Sequence, residues 1–151
     1  MSYIEAKKEY AKYGINTDEA INLAAGKNIV FDFQTNTLTN STVSQTIKNY
    51  GTIKISNGTV TNTSAATNAL IDNYSTGVID ITGGQLISLG TKQALYNEYG
   101  VATISGNAYL SSKASGTYDG VQRSTVHNKG TGHLTITGGT IVNTVGSAVT
   151  S

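Results

Sequence analysis

The spacing of hydrophobic positions along this chain changes near residue 27. Before that point Tyr3, Ala6, Tyr10 and Tyr13 recur at helical spacing, and Ser2 with Glu5 forms a capping box. Gly14 suits a left-handed helix stop. Asn16, with Glu19 three residues on, opens a second, shorter helix whose apolar side is Ala20, Ile21, Leu23 and Ala24, ending at Gly26. The pattern predicts an N-terminal α-helical cap over residues 1–26. From residue 27 onward apolar and polar residues alternate, which is the period of a β-strand.

A longer repeat lies above that alternation. Phe31-Asp32-Phe33 corresponds to Ile53-Lys54-Ile55, Ile79-Asp80-Ile81, Ala102-Thr103-Ile104 and Leu134-Thr135-Ile136. Each copy continues through a polar turn, usually with Gly, into a strand that opens on Leu38, Val60, Leu86, Tyr109 or Ile141. A third strand follows at Gln45-Thr46-Ile47, Ala69-Leu70-Ile71, Ala94-Leu95-Tyr96, Ser124-Thr125-Val126 and Ala148-Val149-Thr150. The steps from Phe33 to Ile55, Ile81, Ile104 and Ile136 are 22, 26, 23 and 32 residues. Such periods belong to stacked repeat architectures, with the unequal lengths taken up in turns. The prediction is an all-β, right-handed parallel β-helix (solenoid) of about five coils over residues 27–151. Phe33, Ile55, Ile81, Ile104 and Ile136 would form one internal column. The pattern stops in mid-repeat at Ala148–Ser151, so truncation at the C-terminal end is expected.

Composition narrows the function classes. Charged residues are 13% of the chain, the formal net charge is +1, and there is no Pro or Cys. Disordered chains of low hydrophobicity usually carry more charge and proline. A net charge this small gives no field for drawing nucleic acid. No apolar run is long enough to span a bilayer. No cysteine-based metal site is available, no phosphate loop or nucleophile motif occurs, and neither a catalytic residue nor a cofactor is expected.

Several polar positions recur with the coils. Asn49, Asn73, Asn97 and Asn128 end the third strands and predict an amide ladder inside one corner. Asp32, Lys54 and Asp80 align outward as a mildly stabilising charge stack. Tyr50, Tyr74 and Tyr99 follow the asparagines; such a column either covers apolar edge or offers flat faces to sugar rings. Ile87, Leu110 and Val142 turn outward if alternation holds, forming a strip for a homo-oligomer or another protein surface; a bend in register would tuck them inside. The longest insertion, residues 113–123, places Tyr118, Asp119 and Arg123 on a loop, where ligand contacts are common. His127 and His133 read as surface or turn residues.

The phrases Gly51-Thr52-Ile53-Lys54-Ile55-Ser56-Asn57-Gly58-Thr59-Val60 and His133-Leu134-Thr135-Ile136-Thr137-Gly138-Gly139-Thr140-Ile141, with Ala69-Leu70-Ile71-Asp72-Asn73 between them, resemble the pectin-lyase-like parallel β-helix repeats of bacterial cell-surface, adhesin-type proteins. Similar coils occur in phage tail spikes. The resemblance implies a structural or adhesive, non-catalytic segment outside the cell or on its surface, with carbohydrate as candidate ligand. A polysaccharide lyase or hydrolase and a phage virion segment are the alternatives. The acidic calcium cluster of the lyases has no counterpart in the sequence.

Overall fold

The computed structural model describes residues 15–42, 44–118 and 120–151. They form a parallel β-solenoid whose six-stranded third sheet marks six turns of chain. The first sheet contains the opening of Asn28–Asn40, the opening of Thr52–Asn62, then Val78–Ile81, Val101–Ile104 and His133–Ile136. The second contains Ile15–Thr17, the ends of the two long strands, Gln85–Ile87, Tyr109–Ser112 and Thr140–Asn143. The third contains Ile21–Leu23, Ile47–Asn49, Ile71–Asn73, Leu95–Glu98, Ser124–Lys129 and Ser147–Thr150. Strands stacked about 4.8 Å apart make each coil the hydrogen-bond partner of the next.

The core is a set of aliphatic columns set by that register. Ile53, Ile79 and Ala102 form one, and Ile55, Ile81 and Ile104 a second. Val60, Leu86 and Leu110 form a third, and Ile47, Ile71, Leu95 and Val126 a fourth. All of these side chains are buried. Among the described residues no strand pairs with the outer side of His133–Ile136, and Ile136, in the column of Ile104, is 43% exposed.

Four expectations change. The first predicted helix, with its stop at Gly14, lies outside the described residues. The second is absent: among the described residues there is no helix, and Ile15–Thr17 and Ile21–Leu23 are strands of a sixth coil. Ile21 and Leu23 are two residues apart, so as a strand both reach the core, where Ile21 stands over Ile47. Tertiary stacking outweighs the helical preference of the alanines. Next, Phe31 and not Phe33 pairs with Ile55, because the ladder shifts at Asp32 and resumes only at Thr37. Gln34 there adopts φ 54°, the left-handed conformation glycine takes in later coils, such as Gly58 at φ 79°.

That shift also breaks the proposed charge stack. Val30, not Asp32, precedes Lys54 and Asp80 in the outward column. Lys54 and Asp80 lie 4.0 Å apart and well exposed, a pair worth little to stability. Asp32 instead accepts from Asn57 Nδ2 at 3.1 Å. Finally, the apolar strip does not exist as such. Leu110 is fully buried in the column of Leu86 and Ile141, while Tyr109 pairs with Gln85 and Thr140 outside. One extra residue in the turn after Ile104 moves the alternation by one, so Ile87 and Val142 are separated by Ser111.

Candidate functional site

The third sheet carries the most polar chemistry, and its geometry begins at the asparagine corner. Asn49 Nδ2 donates to Asn73 Oδ1 at 2.7 Å, Asn73 Nδ2 to Asn97 Oδ1 at 2.7 Å, and Asn97 Nδ2 to Asn128 Oδ1 at 2.6 Å. The same amides donate to turn carbonyls, Asn73 to Gly77 and Val101 and Asn128 to Gly132. The predicted ladder is therefore present as a closed system. Glycine follows it in the turn for a steric reason: a Cβ on Gly77 would overlap the Asn73 amide oxygen, and one on Gly100 the Asn73 amide nitrogen.

A second polar corner, unforeseen from sequence, joins the second and third sheets. Asn40, Asn62, Ser88, Ser112 and Asn143 occupy it. Asn62 Oδ1 accepts from the Leu89 amide at 2.8 Å, and Asn143 Oδ1 from the amides of Val145 and Gly146. Its residue type varies between Asn and Ser, which hid its periodicity.

Outward from the third sheet, two columns run side by side. One is Lys48, Asp72, Tyr96 and His127. The other follows the ladder asparagines as Tyr50, Tyr74, Glu98 and Lys129. The Tyr50 and Tyr74 rings stack at 4.5 Å with 6° between planes. Each ring thus covers one face of the other, and the faces expected to meet sugar are reduced to the two ends of the stack. Tyr99 leaves the column, because Glu98 holds the position after Asn97. Its ring lies against Gly130, and it has a positive φ of 66°.

These columns floor a cleft of about 230 Å³ whose walls are turns leading into the strands. Gln45, Asp72, Gln93, Tyr96 and Glu98 line it with Thr67, Asn68, Lys92 and Arg123. Asp72 is 6% exposed although it points away from the core. Its Oδ2 accepts from Gln45 Nε2 at 2.6 Å and from the Tyr74 hydroxyl at 3.3 Å. Burial outweighs those bonds and, helped by Glu98, raises its pKa from 3.8 to about 6. Burial and the Asp72 carboxylate in turn push the Tyr74 phenol upward. Glu98 lies 3.5 Å from Lys129. At the entry edge, burial and the neighbouring Arg123 guanidinium lower the Lys92 ammonium.

His127 corrects the surface reading. It is 3% exposed, its Nδ1 has no hydrogen-bond partner, and its ring meets Tyr96 edge-on at 5.3 Å. Burial holds its pKa below the usual value, so it is neutral near pH 7. His133 is exposed, as expected. Of the loop residues, Arg123 reaches the cleft. Tyr118 stands in a short hairpin, Thr117–Tyr118 with Val121–Gln122, and Asp119 lies outside the described residues. The structure thus brings Tyr74 and Arg123 to one region and leaves Tyr99 apart from it. Asp72, Gln45 and Lys92 are the residues sequence reasoning missed. The described residues contain no group of three or more His, Asp or Glu placed to hold a metal. No described helix is long and apolar enough to cross a membrane.

The raised Asp72 pKa has a measurable consequence. Between about pH 4 and 6 the folded carboxyl keeps a proton that the unfolded one releases, so folding binds protons there. The Asp72 contribution to stability is present below pH 4 and is lost as pH rises through 6. Asp72→Asn removes this loss and is expected to exceed the wild type by about 1–3 kcal/mol at pH 8, while matching it at pH 4. Urea unfolding at the two pH values measures the difference. Equal gaps at both would show that Asp72 ionises as an ordinary surface carboxylate.

In comparisons with known proteins no family matches this chain, and no curated protein or solved structure matches it either.

Proposed function

We propose that this chain is a non-catalytic, adhesive or structural β-solenoid segment of a bacterial surface or extracellular protein, and that the cleft on its third sheet takes carbohydrate. The observation that carries the reading is the lining of that cleft: the amides Gln45, Asn68 and Gln93, the Asp72 carboxylate and Arg123, grouped in a volume of about 230 Å³. Amides and carboxylates bind vicinal hydroxyls through paired donors and acceptors, and a cleft this small suits one or two sugar rings. Stacked coils also hold the floor of the site rigidly, since Asp72, Tyr96 and Glu98 sit on paired strands.

A glycan array followed by amide-shift titration of the best hit tests this. Saturable shifts at Gln45, Asn68 and Gln93 with a dissociation constant of about 1 mM or tighter are expected, weakened about tenfold in Arg123→Ala. Shifts confined to the Tyr99 side would move the site elsewhere, and a blank array would remove the carbohydrate reading.

One observation favours a second reading, a polysaccharide-active enzyme. Asp72 and Glu98 line the same cleft from neighbouring parallel strands. Glycoside hydrolysis commonly uses such a pair of carboxyl groups, one as acid and the other as base or nucleophile. Release of reducing ends from any array hit, abolished by Asp72→Asn and by Glu98→Gln, would establish that reading over the first.

A further inference from the structure

We propose that the second polar corner binds one water molecule as a fixed part of the core, between Asn62 and Ser88, in the place that a side-chain amide takes elsewhere in the same column. The register sets the pair together. Thr61 pairs with Ile87 and Ile87 with Ser111, so the next residues, Asn62, Ser88 and Ser112, follow one another on successive coils. Asn62 is 1% exposed and Ser88 2%. Asn62 Nδ2 and Ser88 Oγ are both buried without a hydrogen-bond partner. A buried polar group in that condition carries its full desolvation cost, and two of them side by side call for a shared partner.

Each stands unpaired for a local reason. Asn40 Nδ2 donates to the carbonyl of Gln45, and Asn143 Nδ2 to that of Ser147, where the chain enters the third sheet. In the coil of Asn62 the connecting turn is longer, and the residue equivalent to Gln45 is Ala69, two before Ile71. Exchanging the two amide atoms of Asn62 brings no relief, because its Oδ1 already accepts from the Leu89 amide at 2.8 Å. One coil on, Ser112 Oγ meets Thr125 Oγ1 at 2.8 Å. The position of Thr125 is taken in the coil of Ser88 by Ala94, which has no hydroxyl to offer. The hydroxyl oxygen of a serine stands where the amide carbon of an asparagine stands, and the asparagine carries two further atoms beyond it. That difference is on the order of one water, about 30 Å³. A water there accepts from Asn62 Nδ2 and bonds to Ser88 Oγ, and two polar partners are enough to hold it.

A crystal structure at a resolution that shows ordered water tests this directly. One water within about 3.2 Å of both Asn62 Nδ2 and Ser88 Oγ is expected. Ser88→Asn restores an amide to the column, and in its crystal the new side chain should take the place of the water and accept from Asn62 Nδ2. Wild-type density that puts Asn62 Nδ2 on a protein atom, or shows no water beside it, would overturn the site. That result stands whether or not the variant folds. A water that persists beside the new amide in Ser88→Asn would overturn its role as a substitute for one.

Discussion

Asn73→Ala is expected to lower the unfolding free energy by about 3 kcal/mol, a large fraction of what a domain of this size has. Asn73 sits in the middle of the ladder with no exposure. Its Nδ2 donates to Asn97 Oδ1, Gly77 O and Val101 O, and its Oδ1 accepts from Asn49 Nδ2. Alanine removes all four bonds at once and strands their partners where water does not reach. A buried polar group left without a partner costs about 1–3 kcal/mol, more than a formed bond contributes. Asn128→Ala, on the last described rung and partly exposed, should cost only about 1 kcal/mol, because water can replace the lost amide. Asn73→Asp provides the electrostatic contrast. Its carboxylate would face the carbonyl oxygens of Gly77 and Val101 with no proton to offer, so its pKa must rise and its stability must fall as pH rises toward neutrality. Urea unfolding followed by circular dichroism reads all three. If Asn73→Ala falls within about 0.5 kcal/mol of the wild type, the ladder is incidental to the fold.

The ladder was legible in the chain for a specific reason. It uses one residue type at one corner, and its spacings of 24, 24 and 31 residues survive the turn insertions. The aliphatic columns were legible in the same way wherever a single apolar residue filled each inward position, as at Ile55, Ile81 and Ile104. Where two candidates stood close together, alternation could not choose between them. Phe31 and Phe33 share a parity, and only the ladder shift at Asp32 decides which one meets Ile55. Tyr109 and Leu110 are adjacent, and a single extra turn residue before them selects Leu110 for the core. The first coil was hidden by helix-favouring alanines around Ile21 and Leu23, whose strand identity comes only from the partner at Ile47–Asn49.

The cleft was illegible for a different reason: its residues are neighbours only across coils. Gln45 and Asp72 are 27 residues apart in sequence, and they meet because their coils stack. In the string Ile71-Asp72-Asn73 the aspartate reads as an ordinary outward strand residue. The neighbours around it are Gln45 and Tyr74, which donate to it, and Lys48 and Tyr96 on the strands to either side, which no local pattern announces. Insertion length gave a partial signal, since the 113–123 excursion is what delivers Arg123. Charge pairing gave none.

The register of the core has its own decisive experiment. Ile81→Ala is expected to cost about 3–4 kcal/mol, while Ile136→Ala in the same column costs about 1 kcal/mol. Ile81 is fully buried between Ile55 above and Ile104 below. Truncating it leaves a cavity that neither neighbour can fill, because both are held by their own strand pairing. Ile136 has Ile104 on one side only and is 43% exposed, so less apolar surface returns to water. Stability in a stacked repeat is a sum of each coil and its interfaces. The Ile81 change therefore weakens two interfaces, and hydrogen exchange should quicken in the amides of Thr52–Ile55 and Val101–Ile104 as well as its own strand. For Ile136→Ala faster exchange should stay within His133–Ile136 and the strand beneath. Equal costs at the two sites would mean that the last coil is covered in solution or that Ile136 does not stand over Ile104, and the column drawn through them would have to be abandoned.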